Sequence, residues 1–306
     1  MFRLVLFAVL LLAAVSARAL DAEARRIALS FDDAPRADSA LLSGRERAQR
    51  LILALRESDV EGALFFVTTR HLDGVAEGEQ RLRDYVAAGH ALGNHSHAHL
   101  WLSRSEVADY LADLDQARQR LEALPGVLPL FRFPFLDEGR DSQRRDALRQ
   151  ALAERGLGNG YVTVDTYDWY LDSLAQQARA DGRQIDMTAL GNLYVEVLID
   201  AVEFYDTIAQ RTLGRSPAHV LLLHENDLAA LYIGDLVTAL RDRGWQIIPA
   251  EEAYRDPLAE LQPDTLFLGQ GRVAALARLA GDPASSLINR WEDEPSLKRR
   301  FDSEVL

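Results

Sequence analysis

The sequence predicts an α/β fold in which seven parallel strands alternate with helices around a single barrel-like sheet. Short β-branched or apolar runs alternate along the chain with amphipathic stretches, in which apolar residues recur at helical spacing. Connections of that length join parallel strands through a helical crossover, because a tight turn joins only antiparallel strands. Seven such units favour a barrel, complete or incomplete. A doubly wound open sheet is the alternative.

The predicted strands lie, in chain order, at residues 26–31, 62–67, 90–93, 130–133, 161–164, 219–223 and 246–248. The predicted helices lie between them, at residues 45–57, 79–88, 105–123, 141–154, 190–212 and 231–243. Ser105 is the predicted N-cap of its helix, and Gly156 and Gly244 are the predicted C-terminal caps of theirs. The tail after Leu261 has one further apolar helical stretch, 273–280, and no chemical motif.

Composition excludes several classes of function. The 306-residue chain is 48% hydrophobic, which is enough for one sizeable core, and its net charge is −13. Nucleic acid is therefore not an expected partner, since phosphate binding needs clustered Lys and Arg. The chain has no cysteine, which excludes a disulfide framework and any thiolate metal site.

The N-terminus has the pattern of a secretory signal peptide. Arg3 precedes an uncharged apolar run at 4–15, and Ala17-Arg18-Ala19 then offers small residues for a cleavage site. The run is shorter than the roughly 20 residues that cross a bilayer, so no permanent membrane span is expected. The prediction is cleavage after Ala19 and a secreted or periplasmic protein. An uncleaved anchor or a buried first helix is the alternative.

Polar side chains stand at or just after the carboxyl ends of five predicted strands. They are Asp32 and Asp33, His95 and His99, Arg132, Asp165 and Asp168, and His224. In parallel α/β folds the carboxyl ends of all strands lie on one face, where binding and catalytic sites are built. The sequence therefore predicts that these side chains meet in one site.

His95 and His99 are four residues apart, and on a helical turn that spacing puts both imidazoles on one face. Asp33 supplies a carboxylate and completes a set of three candidate metal ligands. Such a set leaves coordination positions open for water, as a catalytic metal requires. His97 is predicted to point to the surface. Taken alone, the histidine pair more often reflects surface or capping residues.

Asp32 adjoins Asp33, and two neighbouring carboxylates repel each other unless a cation relieves them. A metal on Asp33 would leave Asp32 free to accept a proton, although Asp-Asp-Ala-Pro is also ordinary turn chemistry. Arg132 is a candidate to orient Asp32 and lower its pKa, and Asp168 is a candidate to favour the imidazolium of His224. Ordinary ion pairs and a buried core histidine are the alternatives.

These segments resemble the five motifs of the polysaccharide deacetylases of carbohydrate esterase family 4, the NodB homology domain. The first two motifs, T-F-D-D-G-P and H-[ST]-x-x-H, correspond to S-F-D-D-A-P at 30–35 and H-S-H-A-H at 95–99. The other three, R-x-P-[YF], D-x-x-D-W and L-x-L-H, correspond to residues 132–135, 165–169 and 221–224. All five occur in family order, and the resemblance covers roughly residues 26–250.

The resemblance implies a distorted (β/α)7 barrel, which we place at 20–260. The signal peptide at 1–19 and a C-terminal extension of unknown role at 261–306 do not belong to the resemblance. The resemblance implies a divalent metal, most often zinc, with Asp33, His95 and His99 as its ligands.

The resemblance also implies a catalytic apparatus. Asp32 would be the general base, positioned by Arg132. His224 would be the general acid, tuned by Asp168. The implied reaction hydrolyses N-acetyl groups of a chitin- or peptidoglycan-like polysaccharide or oligosaccharide, releasing acetate and a free amine.

Other features bear on the substrate. Phe135 and Trp169 are predicted to line a sugar groove, with core aromatics as the alternative. Ala34 replaces the glycine of the first family motif, and Glu225-Asn226 follows the fifth motif where Asp-Gly is common. The segment 170–218, between the fourth and fifth motifs, is longer than the family leads us to expect. These departures affect the choice of substrate more than the chemistry.

Three other functions stay open. The same apparatus could cut O-acetyl esters, as on xylan. A non-catalytic carbohydrate-binding protein could retain the fold. An unrelated barrel metallohydrolase would need further ligands, which the sequence does not offer.

Overall fold

The computed structural model describes residues 24–306, so the predicted signal peptide lies outside the described residues. Seven parallel strands form one curled sheet in the order β5-β4-β3-β2-β1-β6, with β7 also paired to β1. The strands are β1 Arg25–Ala34, β2 Leu64–Val67, β3 Ala91–Asn94, β4 Val127–Phe131, β5 Gly158–Asn159, β6 Ala218–His224 and β7 Trp245–Ile247. The predicted α/β fold with a distorted barrel-like sheet is confirmed.

Ten helices cover the sheet in the described part of the chain. They are α1 Gly44–Glu57, α2 Gly78–Ala87, α3 Val107–Leu121, α4 Ser142–Glu154, α5 Asp168–Ala180, α6 Met187–Leu213, α7 Asp227–Asp242, α8 Ala250–Ala253, α9 Gly271–Leu279 and α10 Glu294–Glu304. No helix among residues 24–306 combines the length and the apolar character that crossing a membrane requires. The six predicted helices and the helical stretch 273–280, which is α9, are confirmed within a few residues, whereas α5, α8 and α10 were not predicted.

The fifth predicted strand, 161–164, is wrong, because β5 is the shorter Gly158–Asn159. The predicted segment meets the sheet only through one bridge, between Val164 and Leu221. Thr163 interrupts a regular ladder, since its hydroxyl accepts the backbone N–H of Val220 at 2.8 Å. The carbonyl of Val220 in turn accepts the backbone N–H groups of both Thr163 and Val164.

The helix ends show which predicted caps form. Gly156 and Gly244 follow their helices in the left-handed region, at φ 65° and 80°, as C-terminal caps do. Ser105 is not the N-cap of α3. Glu106 holds that position, and the Ser105 hydroxyl instead donates to the carbonyl of Trp101 at 2.7 Å.

The C-terminal segment 261–306 packs onto the barrel core. Leu297 and Phe301 of α10 and its C-cap residue Val305 follow one another at helical spacing and are buried. They join the same apolar cluster as the sheet and the long helix α6. Burial of an apolar side chain of this size contributes roughly 1.5–3 kcal/mol, so the segment is held firmly against the barrel.

Candidate active site

A cavity of about 630 Å³ opens at the carboxyl ends of the strands. Among the residues that line it are Asp32, Asp33, His95, His99, Phe135, Asp165, Trp169 and His224. Arg132 and Asp168 are fully buried behind this surface and contact Asp32 and His224. The structure therefore brings together all the side chains that the strand-end pattern selected.

Three candidate ligand atoms lie close together in this cavity. Asp33 Oδ1 is 3.3 Å from His99 Nε2 and 3.8 Å from His95 Nε2, and the two Nε2 atoms are 3.3 Å apart. Ligand atoms about 2.0–2.2 Å from a tetrahedral zinc ion are about 3.3–3.6 Å from one another. The donor set and its spacing therefore fit a divalent metal such as zinc.

The histidine pair does not lie on a helical turn, so that part of the prediction is wrong. The loop 95–99 has left-handed backbone at Ser96 and His99, at φ 70° and 56°. Asp113 on α3 fixes this shape by accepting two successive backbone N–H groups of the loop, at 2.9 and 2.8 Å. His97 points away from the ligand atoms and is half-buried rather than at the surface.

The protonation states of the three groups suit metal binding, which needs neutral imidazoles and a charged carboxylate. Burial lowers the pKa of both His95 and His99 to about 4. Burial alone would raise the pKa of Asp33. Nearby groups have the larger, opposite effect and hold that pKa below its usual value; they are the imidazoles of His224, His99 and His95 and the guanidinium of Arg36. His95 Nδ1 lies 2.9 Å from the carbonyl of Arg132, which leaves Nε2 free for a metal.

Arg132 contacts and orients Asp32 as predicted, but the pKa of Asp32 is raised and not lowered. Arg132 Nη1 donates to Asp32 Oδ1 at 2.8 Å, and Nη2 donates to Ser30 Oγ and to the Tyr254 hydroxyl. The other carboxylate oxygen, Oδ2, lies 3.6 Å from His95 Nε2, beside the ligand group. Burial raises the pKa of Asp32 to about 6 even though Arg132 lowers it, which is suitable for a general base.

His224 is paired with Asp168, also as predicted. Its Nδ1 lies 2.7 Å from Asp168 Oδ1, and Asp168 Oδ2 accepts the backbone N–H of His224 and the amide of Asn226. Burial alone would lower the pKa of His224, but the charge and hydrogen bond of Asp168 outweigh it and raise that pKa to about 9. The imidazole is therefore protonated at neutral pH.

Residues 19–156 match the family model described as polysaccharide deacetylase. The resemblance to the polysaccharide deacetylase family is confirmed. Bacillus subtilis (strain 168) has an uncharacterized protein, YlxY, that is 27% identical over 128 residues. That match covers 41% of this chain and 37% of YlxY, so the chain spans little more than a third of that relative.

Solved structures of this family share the fold. A variant of peptidoglycan deacetylase PdaC from Bacillus subtilis is 18% identical, with a TM-score of 0.50 over 76% of this chain and 93% of that one. A peptidoglycan N-acetylglucosamine deacetylase catalytic domain from Eubacterium rectale is 20% identical, with a TM-score of 0.50 over 78% and 93% of the two chains. A family pseudoenzyme from Bacillus anthracis is 17% identical, with a TM-score of 0.50 over 74% and 63%.

Phe135 of motif three and Trp169 of motif four are not core residues. Phe135 and Trp169 line the cavity with 43% and 37% of their surface exposed. Phe135 stacks on Trp101 at 3.8 Å between ring centroids and meets the edge of His99 at 4.5 Å. Sequence reasoning missed Trp101, whose position two residues after His99 is the signal that could have revealed it.

Glu225, where the family commonly has Asp, is a second residue whose role the sequence did not show. It is fully buried and accepts the Tyr85 hydroxyl at 2.9 Å and Arg81 Nη2 at 3.0 Å. It also accepts the backbone N–H of Arg36 at 2.6 Å, three residues after Asp33. This carboxylate thus ties the loop that carries the first motif to helix α2.

Proposed function

We propose that the protein is a metal-dependent deacetylase that hydrolyses N-acetyl groups of a polysaccharide or oligosaccharide to acetate and a free amine. The observation that carries the proposal is one cavity holding three complementary parts. These are the ligand group of Asp33, His95 and His99, the buried carboxylate of Asp32, and the charged imidazole of His224.

Asp33, His95 and His99 would hold the metal, and zinc suits their donor set. When bound, such an ion supplies a Lewis acid for the acetyl carbonyl and lowers the pKa of a nearby water. Since both imidazoles are neutral at neutral pH, they need lose no proton before they bind it.

Asp32 takes the proton from the attacking water, while Arg132 fixes its carboxylate in the cavity wall. His224 gives its proton to the departing amine, which is a poor leaving group until it is protonated. By analogy with the family, the backbone N–H of Phe135 would donate to the oxyanion that forms when water attacks the acetyl carbon. The exposed rings of Phe135 and Trp169 offer flat apolar surfaces to the sugar.

The substrate class follows from this reaction and from the relatives. Two of the solved structures with this fold are peptidoglycan deacetylases, and we infer an acetylated glycan of that kind or a chitin-like oligomer. The signal-like segment 4–15 supports a secreted or periplasmic location, where such polymers occur. We also propose the barrel boundaries 20–260 for the catalytic domain.

Acetate release from chitin oligomers, peptidoglycan and acetylated xylan tests the proposal. We expect release from an N-acetylated glycan, loss of release with a chelator, and recovery on adding zinc. Release from xylan alone would indicate an O-acetyl esterase. No release from any glycan by zinc-loaded protein would contradict the proposal and favour a non-catalytic role, a possibility that the Bacillus anthracis pseudoenzyme raises.

Asp168→Asn is expected to shift the alkaline limb of the kcat/KM profile to lower pH. His224 must be protonated to act as an acid, so activity falls as pH rises through its pKa, which is about 9 in the parent protein. Without the charge of Asp168, only Asp33 and Asp32 still oppose the effect of burial, and the pKa of His224 falls. Asp172→Asn, which removes a buried carboxylate one turn later on α5, is the control and should leave the alkaline limb in place.

A further inference from the structure

The C-terminal segment 261–306 forms part of the cavity wall. Gly269, Gln270 and Glu294 belong to this segment and line the cavity together with the candidate catalytic residues. All three lie outside residues 19–156, the part of the chain that matches the family. Part of the cavity wall is therefore built by residues that the family motifs do not include.

This wall is anchored to the barrel. The backbone N–H of Arg272 donates to the carbonyl of Val162 at 2.8 Å, and its guanidinium lies 4.5 Å from the ring centroid of Tyr161. The hydroxyl of Tyr205 donates to Gln270 Oε1 at 3.0 Å. Gly271 has φ 81°, and a Cβ there would lie 2.8 Å from the Val162 carbonyl oxygen, so the turn into α9 sits directly against the barrel.

A second hollow of about 210 Å³ is also lined by Phe135. Its walls are the loop 135–140 and the segment 266–270. It shares Trp101, Phe135, Leu136, Gly269 and Gln270 with the main cavity. The two hollows therefore adjoin, with the stacked pair of Trp101 and Phe135 at their boundary.

The second hollow has the chemistry of a sugar subsite. The stacked rings and Leu266, which is 47% exposed, offer apolar surface for the face of a pyranose ring. Glu138 lines the hollow and is 8% exposed. Arg140, which is exposed, and Gln270, which is half-buried, also line the hollow and carry N–H donors for sugar hydroxyls.

We infer that the hollow closed by the C-terminal segment binds the sugar unit next to the one whose acetamido group reacts. The inference rests on the proposed function, because the main cavity must hold the reacting unit. It makes the substrate an oligosaccharide or polymer of at least two units. The segment 261–306 is then a specificity element of the site.

Calorimetric titration of the full-length Asp32→Asn protein, loaded with zinc, tests this inference without hydrolysis. The probes are N-acetylglucosamine and its β-1,4-linked dimer and tetramer. We expect the dimer and tetramer to bind at least about tenfold more tightly than the monomer, because they also fill the second hollow. Adding Leu266→Asp should remove most of the difference in affinity between the oligomers and the monomer. The affinity for the monomer should stay close to that of the Asp32→Asn protein.

Leu261→Asp is the matched control, since Leu261 is an equally exposed leucine of the same segment that lines neither hollow. It should keep the full gain with length. Equal binding of monomer and tetramer, or equal losses in both variants, would overturn the inference. If the parent protein released no acetate but binding still increased with oligomer length, the proposed hydrolysis would be wrong and the sugar subsite would stand.

Discussion

Replacing Asp32 with asparagine is expected to lower kcat by roughly 10²–10⁴ while the protein still binds zinc. Asparagine has nearly the same shape but cannot take a proton from water at neutral pH. Asp32 is not one of the three clustered ligand atoms, and one of its oxygens is engaged by Arg132 at 2.8 Å. Steady-state acetate release and zinc content after dialysis measure the two effects separately.

Asp33→Asn is the matched control, because it makes the same chemical change one residue along the chain. Asp33 Oδ1 lies 3.3 Å from His99 Nε2 and supplies the negative charge of the ligand group. This variant should lose zinc as well as turnover. If Asp32→Asn lost zinc and Asp33→Asn kept it, the two aspartates would have the opposite roles and the assignment would be wrong.

The position of the site could be predicted from sequence because it depends on one general rule. Strands that run parallel end on the same face, so Asp32, His95 and His224 had to approach one another once β1, β3 and β6 were recognised. The pairings of Arg132 with Asp32 and of Asp168 with His224 followed from the same placement and from opposite charge.

The local geometry of the histidine pair could not be predicted, because it depends on distant partners. Spacing alone suggested a helical turn at 95–99, but the loop bonds to Asp113, which lies 15 and 16 residues from the two N–H groups it accepts. The broken fifth strand likewise depends on Thr163 pairing with Val220, 57 residues later. Such side chain–backbone bonds compete with regular structure and leave no periodic trace in the sequence.

The C-terminal segment 261–306 shows a different limit of prediction from sequence. The apolar spacing of Leu297, Phe301 and Val305 was present in the sequence and is typical of a helix with one buried face. What the spacing does not contain is the partner surface, which α5 and α6 supply. Gly269 and Gln270 reach the cavity because α9 packs on α6 and Tyr205 bonds to Gln270, so no motif could have indicated their contribution.

Arg132→Met is expected to lower the free energy of unfolding by about 3–5 kcal/mol and to lower turnover as well. The Arg132 side chain is fully buried and donates to Asp32, Ser30 Oγ, the Tyr254 hydroxyl and the carbonyl of Gly160. Methionine fills similar space but leaves the Asp32 carboxylate buried without its cation. The pKa of Asp32 then rises further above its usual value, and less of the base is charged at neutral pH.

Urea unfolding at neutral pH and acetate release measure the two losses, and Arg120→Met provides the comparison. Arg120 also pairs with an aspartate, Asp73, but their side chains are 30% and 59% exposed. Exposed pairs of this kind contribute about 0–1 kcal/mol, because water screens them and both side chains lose freedom. Equal, small losses of stability in the two variants would contradict the view that Arg132 offsets the cost of burying Asp32. A large loss confined to Arg132→Met is expected, since only there does a buried carboxylate lose its partner.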